Sequence, residues 1–182
     1  MRASAAAALV MSVALPSEGR LREDYVQQQT DAGWLFHVFS RKLPAAPGHR
    51  GAAARVDYTY LERPDSVTVL ATLRLESALT PQEAEAVWCG GSCTVALEQL
   101  YVQPAGKGYD YRLRARLPFG VWAGMYACDT PFTLTFRFAG AQGEVSRVYG
   151  YSPKSWTGER RRMEGILQMV RQNTGKPLWG VD

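Results

Sequence analysis

The sequence predicts a mainly β protein, an antiparallel sandwich or meander barrel of about eight strands with one short internal helix and a C-terminal amphipathic helix. Two stretches predict strands most clearly. Residues 109–117 and 132–138 alternate apolar and polar side chains, which is typical of a strand with one buried face and one solvent-facing face. Near the end of the chain, apolar residues recur every three or four positions, which predicts the helix. A chain of 182 residues suits one such domain, which we place at residues 21–182.

The first 20 residues have the layout of a secretory signal peptide, or else form an N-terminal extension. Arg2 precedes an apolar run from Ala3 to Leu15, and the small residue Ala14 is a candidate cleavage position before Pro16. The alternative is an alanine-rich helix or first strand that is retained and packs on the core. No apolar run approaches the roughly 18–20 residues that span a bilayer, so we expect no transmembrane segment.

The first half of the domain predicts strands separated by a loop and a turn. Residues 34–39 are apolar on both faces, as in a central strand. The loop at residues 44–51 contains two prolines, which cannot join a ladder of hydrogen bonds. Residues 56–60 and 67–75 alternate on either side of Pro64-Asp65, a favourable turn centre, so this segment predicts a hairpin.

The short internal helix is predicted at residues 80–89. Thr80 can cap its first turn, Pro81 fits the first helical position, and Glu83 completes a capping box. The pair Gly90-Gly91 then ends the helix.

The second half predicts further strands and the final helix. A strand at residues 94–103 loses its alternation near Glu98, which indicates a bulge. Residues 119–128 are interpreted as another strand, and residues 132–151 as the last hairpin. The C-terminal helix is predicted at residues 156–174, and four apolar positions share one of its faces: Met163, Ile166, Leu167 and Val170.

In outline the chain resembles the lipocalin-like barrels. The resemblance is carried by Gly33-Trp34 in an early strand, by many antiparallel strands and by a final helix. The residue that usually separates the glycine from the tryptophan in that motif is missing here. The resemblance therefore implies an architecture and no particular function.

Three cysteines are candidates for chemistry. In an exported chain a disulfide is their natural use. We predict the bridge between Cys89 and Cys93, because the two glycines between them allow a close turn. A bridge from either residue to Cys128, or three buried thiols, are the alternatives. A zinc site needs four ligands, and the chain offers only the widely separated His37 and His49 besides the cysteines, so we expect no metal.

No pattern in the sequence predicts an enzyme or a cofactor. The carboxylates show no catalytic spacing, and no glycine-rich phosphate loop joins a strand to a helix. The candidate catalytic pair is a cysteine nucleophile, Cys128 or Cys93, with His37 as its base. Such a pair would make the protein a small thiol- or histidine-dependent hydrolase.

A surface for a partner is the remaining signal. The net charge is +4, and Arg112, Arg114 and Arg116 project from one face of one predicted strand. These arginines could bind an anion, although carboxylates on neighbouring strands would neutralise them. Aromatic residues near strand ends form a second candidate surface, with the core as the alternative location. They are Trp122, Tyr126, Tyr149, Tyr151 and Trp156.

These features predict a secreted or periplasmic β-rich protein that binds a ligand, a glycan or another protein, without cofactor or catalytic machinery. The alternatives are the small hydrolase and a cytosolic structural or interaction subunit whose N-terminus is retained. The charge is too mild to predict a nucleic-acid partner.

Overall fold

The computed structural model describes residues 24–176. The predicted signal peptide lies outside the described residues, as does the end of the chain beyond residue 176. In chain order the described elements are β1 (Tyr25–Thr30), β2 (Gly33–Leu43), β3 (Ala54–Leu61), β4 (Ser66–Leu75), β5 (Thr80–Trp88), β6 (Gly91–Ala96), β7 (Glu98–Ala105), β8 (Gly108–Pro118), α1 (Phe119–Ala127), β9 (Thr133–Gly140), β10 (Gly143–Gly150) and α2 (Pro153–Thr174).

The strands form two antiparallel sheets, in agreement with the sandwich prediction rather than with a closed barrel. Sheet A has six strands in the order β1-β2-β3-β4-β8-β7, and sheet B has four in the order β10-β9-β5-β6. The chain passes from sheet B to sheet A at Leu97, between β6 and β7. The irregularity predicted near Glu98 is therefore a change of sheet, and a bulge follows between Gln99 and Tyr101.

The alternating stretches face the core as the sequence predicts. The apolar residues of β4, at positions 67, 69, 71, 73 and 75, are all buried. The predicted hairpins are present as β3–β4 and β9–β10. The C-terminal helix is also confirmed: Ser152 caps its start, Gly175 ends it with a left-handed backbone, and its four predicted apolar residues are buried.

The internal helix is present, but not at residues 80–89. That segment is strand β5, in which Ala84 and Ala86 face the core. Glu83 and Glu85 lie on the opposite face, where both carboxylates accept hydrogen bonds from Arg137 of β9. The capping pattern is only a local preference, and burial with cross-strand pairing outweighs it here.

The helix lies instead at α1, where residues 119–128 were predicted as a strand. Because α1 is enclosed by the two sheets and α2, apolar residues cover more than one of its faces and its periodicity is weak. Its Phe119 ring lies 4.9 Å from that of Tyr60, and its Trp122 ring 5.6 Å from that of Tyr58. No helix in the described part of the chain is long and apolar enough to cross a membrane.

Candidate anion-binding cleft

A cleft of about 400 Å³ lies at one end of sheet A, where the β2–β3 loop, the end of β4 and the β7–β8 turn converge. Its volume falls within the range of small-molecule sites, roughly 300–1,000 Å³. Four cationic side chains line it, together with one carboxylate, that of Glu76. The cations are Arg50, Arg74, Lys107 and Arg147.

The close approach of the β7–β8 turn to β4 brings Lys107 and Arg74 together. Gly108 follows Lys107, and a Cβ at position 108 would stand 2.4 Å from the carbonyl oxygen of Leu75. Glycine permits this approach because it has no Cβ. The Nη2 group of Arg74 then donates a hydrogen bond to the carbonyl oxygen of Ala105, which fixes the guanidinium across the turn.

The β2–β3 loop places Arg50 beside β10, the strand that carries Arg147. The loop runs along the edge of β10: Ala45 forms an isolated bridge with Tyr149. The backbone N–H of Ala46 also donates to the carbonyl oxygen of Val148 at 3.0 Å. The segment predicted as a proline-rich loop is thus tied to sheet B before it reaches Arg50.

The four cations have no negatively charged partner among residues 24–176, since none of them forms an ion pair there. Two carboxylates lie near these cations: Glu76 lines the cleft, and Asp110 lies opposite Arg74 in the β4–β8 register. Neither of them forms an ion pair with a cleft cation among the described residues. Arg147 donates a hydrogen bond to the carbonyl oxygen of Ser146, at 3.2 Å. Among the described residues, the cleft therefore combines four cations with one carboxylate, an excess of positive charge without ion pairs.

Two of the three arginines in the predicted stripe on β8 are neutralised by carboxylates on neighbouring strands, as the alternative interpretation expected. Arg112 donates to Oδ2 of Asp57 at 2.9 Å, and that carboxylate is buried. Arg114 donates through Nε to Oε2 of Glu98 at 2.8 Å. Arg116 is exposed and unpaired among the described residues, and it lines a separate groove between β6 and β8.

The predicted aromatic surface is wrong, because all five residues are buried. The Tyr126 ring is stacked on that of Trp156 at 5.7 Å, and Trp122 contacts Tyr126 edge-on at 6.5 Å. Tyr151 lies 5.8 Å from Trp156, and Tyr149 packs edge-on against Phe136 in the core. The rings from α1, from α2 and from the end of β10 join one core, so they present no surface to a ligand.

The predicted disulfide between Cys89 and Cys93 is also wrong. Cys89 is bonded to Cys128, with the two Cα atoms 5.8 Å apart. Gly90-Gly91 belongs to the β5–β6 hairpin, which pairs Cys93 with Ala86, so Cys93 lies along the ladder rather than across the turn. The end of α1 brings Cys128 to Cys89 instead, and Cys93 is a free thiol.

The structure does not bring together the thiol and the base of the predicted hydrolase. The sulfur of Cys128 is in the disulfide, and the residue is buried where α1 ends on the inner side of sheet A. His37 points to the outer face of that sheet, where its Nδ1 lies 2.9 Å from Oγ1 of Thr59. Cys93, the free thiol, is in sheet B. Among the described residues, no group of three or more histidine, cysteine, aspartate or glutamate side chains could hold a metal ion.

Sequence reasoning missed the four cleft cations because they are single residues in separate segments. Arg50 is in a proline- and glycine-rich loop, and Lys107 is flanked by two glycines. Such residues are typical of exposed turns and form no motif with one another. The four cations become neighbours only because the order of the strands brings their segments together. No family model, curated protein or solved structure matches the chain, so the function is argued from its own geometry.

Proposed function

We propose that the protein is an exported binding protein whose ligand is a small molecule with two or more anionic groups, held in the basic cleft. The observation that carries this proposal is the convergence on one cleft of about 400 Å³ of four cations that form no ion pair within residues 24–176. Like charges at close range repel one another, and water only partly screens them. A bound anion removes that repulsion, so the cleft has a physical reason to favour one.

The donor set fits oxyanions. A guanidinium offers planar pairs of N–H donors that match a carboxylate, phosphate or sulfate group, whereas an ammonium acts as a point charge. Arg50, Arg74 and Arg147 supply guanidinium groups and Lys107 supplies the ammonium. Because Arg74 is already held by the Ala105 carbonyl, its remaining donors are oriented before a ligand arrives.

Cations from several walls favour a ligand with more than one charge. Arg50 and Arg147 belong to the loop and strand at sheet B, while Arg74 and Lys107 belong to the end of sheet A. A single oxyanion would satisfy few of these donors at once. The described residues that line the cleft include no histidine, cysteine, serine or threonine, so binding is the activity that this site supports.

Two features support a location outside the cytoplasm. The Cys89–Cys128 disulfide is of a kind that persists in oxidising compartments. The signal-like start of the sequence predicts export, although it lies outside the described residues.

The proposal is tested by isothermal titration calorimetry at low ionic strength, with pyrophosphate and citrate as polyvalent probes and glucose as a neutral probe. We expect saturable binding of at least one anion and none of glucose. The variants Lys107→Gln and Arg147→Gln should each weaken binding by about three- to tenfold, the loss of about 1 kcal/mol of charge interaction.

The matched control is Arg116→Gln, which removes the same charge from an exposed position outside the cleft. It should leave the affinity within twofold, a margin of about 0.4 kcal/mol. Equal weakening by Arg116→Gln would show that only the net charge matters. That result, or the absence of binding by every anion, would refute the proposal.

A further inference from the structure

Strand β7 is an open edge of sheet A. Seven of its eight residues are exposed. Three consecutive apolar residues, Leu100, Tyr101 and Val102, are exposed by 42%, 45% and 40%. Within residues 24–176 the strand pairs only with β8, so no described strand uses the backbone groups along its other side, and these can form a ladder with a further strand.

The inner face of β7 is open as well as its edge. Val102 lies opposite the buried Tyr111 of β8 and therefore points to the inner side of sheet A. It is nevertheless 40% exposed, so the described part of sheet B leaves this position of β7 partly uncovered. Tyr101 lies opposite Arg112 and points to the outer side. Both faces of the strand can thus accept a partner.

The edge carries little of the charge that usually discourages strand pairing. Glu98 is the sole charged residue of β7, and Arg114 of β8 binds it. By contrast, the free edge of β10 is covered by the β2–β3 loop, which bridges at Tyr149. Natural edge strands are commonly blunted by lysines or by such coverage. Residues 99–103 of β7 contain no lysine, and no described segment covers them.

The sequence of this edge is self-complementary. Read in either direction from Tyr101, it gives an aliphatic residue and then a glutamine: Gln99-Leu100-Tyr101-Val102-Gln103. A twofold axis makes antiparallel strands meet in this way, with the same patch on both copies. We propose that β7 pairs with β7 of a second copy of this chain, antiparallel and centred on Tyr101, to form a homodimer.

In this pairing like residues meet. Tyr101 lies opposite its own copy, Leu100 opposite Val102, and Gln99 opposite Gln103. Glu98 falls opposite Pro104, so no two like charges face each other across the new ladder. Pro104 has no N–H to donate and ends the ladder there. The bulge at Leu100 adjoins the axis and interrupts the alternation of faces, because Gln99 lies opposite the buried Leu113 and Gln103 opposite Asp110. Regular pairing is therefore confined to Tyr101 and its immediate neighbours.

The size of the patch sets the strength of the dimer. Stable interfaces use about 20–30 residues on each side, whereas the exposed edge offers seven. The dimer is therefore weak and depends on protein concentration. None of the four cleft cations belongs to β7, so anion binding does not require dimerisation.

Sedimentation velocity of the full chain between about 5 and 200 µM, the range suited to a weak interface, tests the proposal. The dimer fraction should rise with concentration. Tyr101→Lys places two like charges on the axis and should raise the dimer dissociation constant at least about tenfold. The control, Val26→Lys, makes the same change on the exposed edge strand β1 and should leave the constant within about twofold.

A cross-link tests the register. In a Cys93→Ser background, Tyr101→Cys places two thiols on the axis, where antiparallel Cα atoms about 4.5–5.5 Å apart permit a disulfide. Mild oxidation should yield a covalent dimer, and Val26→Cys in the same background should not. A wild-type chain that stays monomeric throughout, a dimer that persists in Tyr101→Lys, or equal cross-linking through Val26→Cys would overturn the proposal.

Discussion

Gly108 lies so close to Leu75 that a Cβ at position 108 would stand 2.4 Å from the carbonyl oxygen of Leu75. The contact lets the β7–β8 turn close against the end of β4. Both residues adjoin a cleft cation in the sequence: Gly108 follows Lys107, and Leu75 follows Arg74. One backbone contact therefore determines the spacing of half the positive charge in the cleft.

We predict that Gly108→Ala destabilises the fold and weakens anion binding together. The new methyl group must displace the turn or the end of β4, a strain of about 1–3 kcal/mol. Urea unfolding measures the free energy, and calorimetric titration measures the affinity. Gly120→Ala is the matched control, because position 120 in α1 has open space around it. Equal effects of the two substitutions on stability would contradict the packing argument.

The Cys89–Cys128 bridge predicts a definite peptide map. Trypsin leaves Cys89 and Cys93 together on residues 75–107 and Cys128 on residues 117–137. Without reduction these two peptides should run as one linked species, with Cys93 alkylated. A disulfide within residues 75–107 and a free Cys128 would contradict the structure.

Loss of the bridge should cost stability. The two cysteines are 39 residues apart in sequence, and cross-linking a loop of this length stabilises a fold by about 2–4 kcal/mol. We expect Cys89→Ala with Cys128→Ala to lower the free energy of unfolding by that amount. Cys93→Ala, which removes a free thiol, should lower it by less than about 1 kcal/mol. Denaturant unfolding of the three proteins distinguishes these outcomes.

Glu159 of α2 gives the fold a pH dependence. The residue is buried, and its Oε2 accepts a hydrogen bond from Nη1 of Arg162 at 3.0 Å. Burial raises the pKa of the Glu159 carboxyl above its ordinary value of 4.5, and Asp24 raises that pKa further. Arg162 and Arg41 oppose this shift without cancelling it. Relative to the unfolded chain, the folded state therefore favours the protonated form of Glu159.

The sign of the effect follows from linkage. Well below pH 4.5 the carboxyl is protonated in both states and carries no penalty. As the pH rises through the folded-state pKa, the buried charge costs stability. Glu159→Gln lacks that charge, so its stability relative to the wild type should increase from pH 4 to pH 8 in thermal melts. Glu164→Gln, on the more exposed side of α2, controls for net charge, and an identical trend in both variants would contradict the assignment.

Periodicity predicted the parts of the fold in which one face is buried. The alternation in β4 and β8 indicates which side of each strand is buried, and the apolar face of α2 does the same for the helix. These elements are therefore found where the sequence predicts them. Two segments have the opposite structure to the one predicted: residues 80–88 form a strand and residues 119–127 form a helix. Their surroundings in the fold, rather than their local propensities, determine their secondary structure. The capping box at residue 80 favours a helix, but pairing with β9 stabilises a strand there. Helix α1 is enclosed by other elements, so its sequence shows no single apolar face.

The candidate site was beyond sequence reasoning for a different reason. Adjacent arginines on one strand are visible in the sequence, but Asp57 and Glu98 neutralise Arg112 and Arg114 from neighbouring strands. The cleft cations at positions 50, 74, 107 and 147 become neighbours only through the sheet order. The disulfide shows the same limit, since the partner of Cys89 is 39 residues away.

The location of a bound anion tests the central claim most directly. Two-dimensional ¹H–¹⁵N NMR of the labelled protein, titrated with the tightest-binding anion at low ionic strength, reports each backbone amide. We predict saturable shifts concentrated at Gly51, Leu75, Gly108 and Arg147, around the basic cleft. Largest shifts along residues 112–116, or no saturable shift at any amide, would contradict the account.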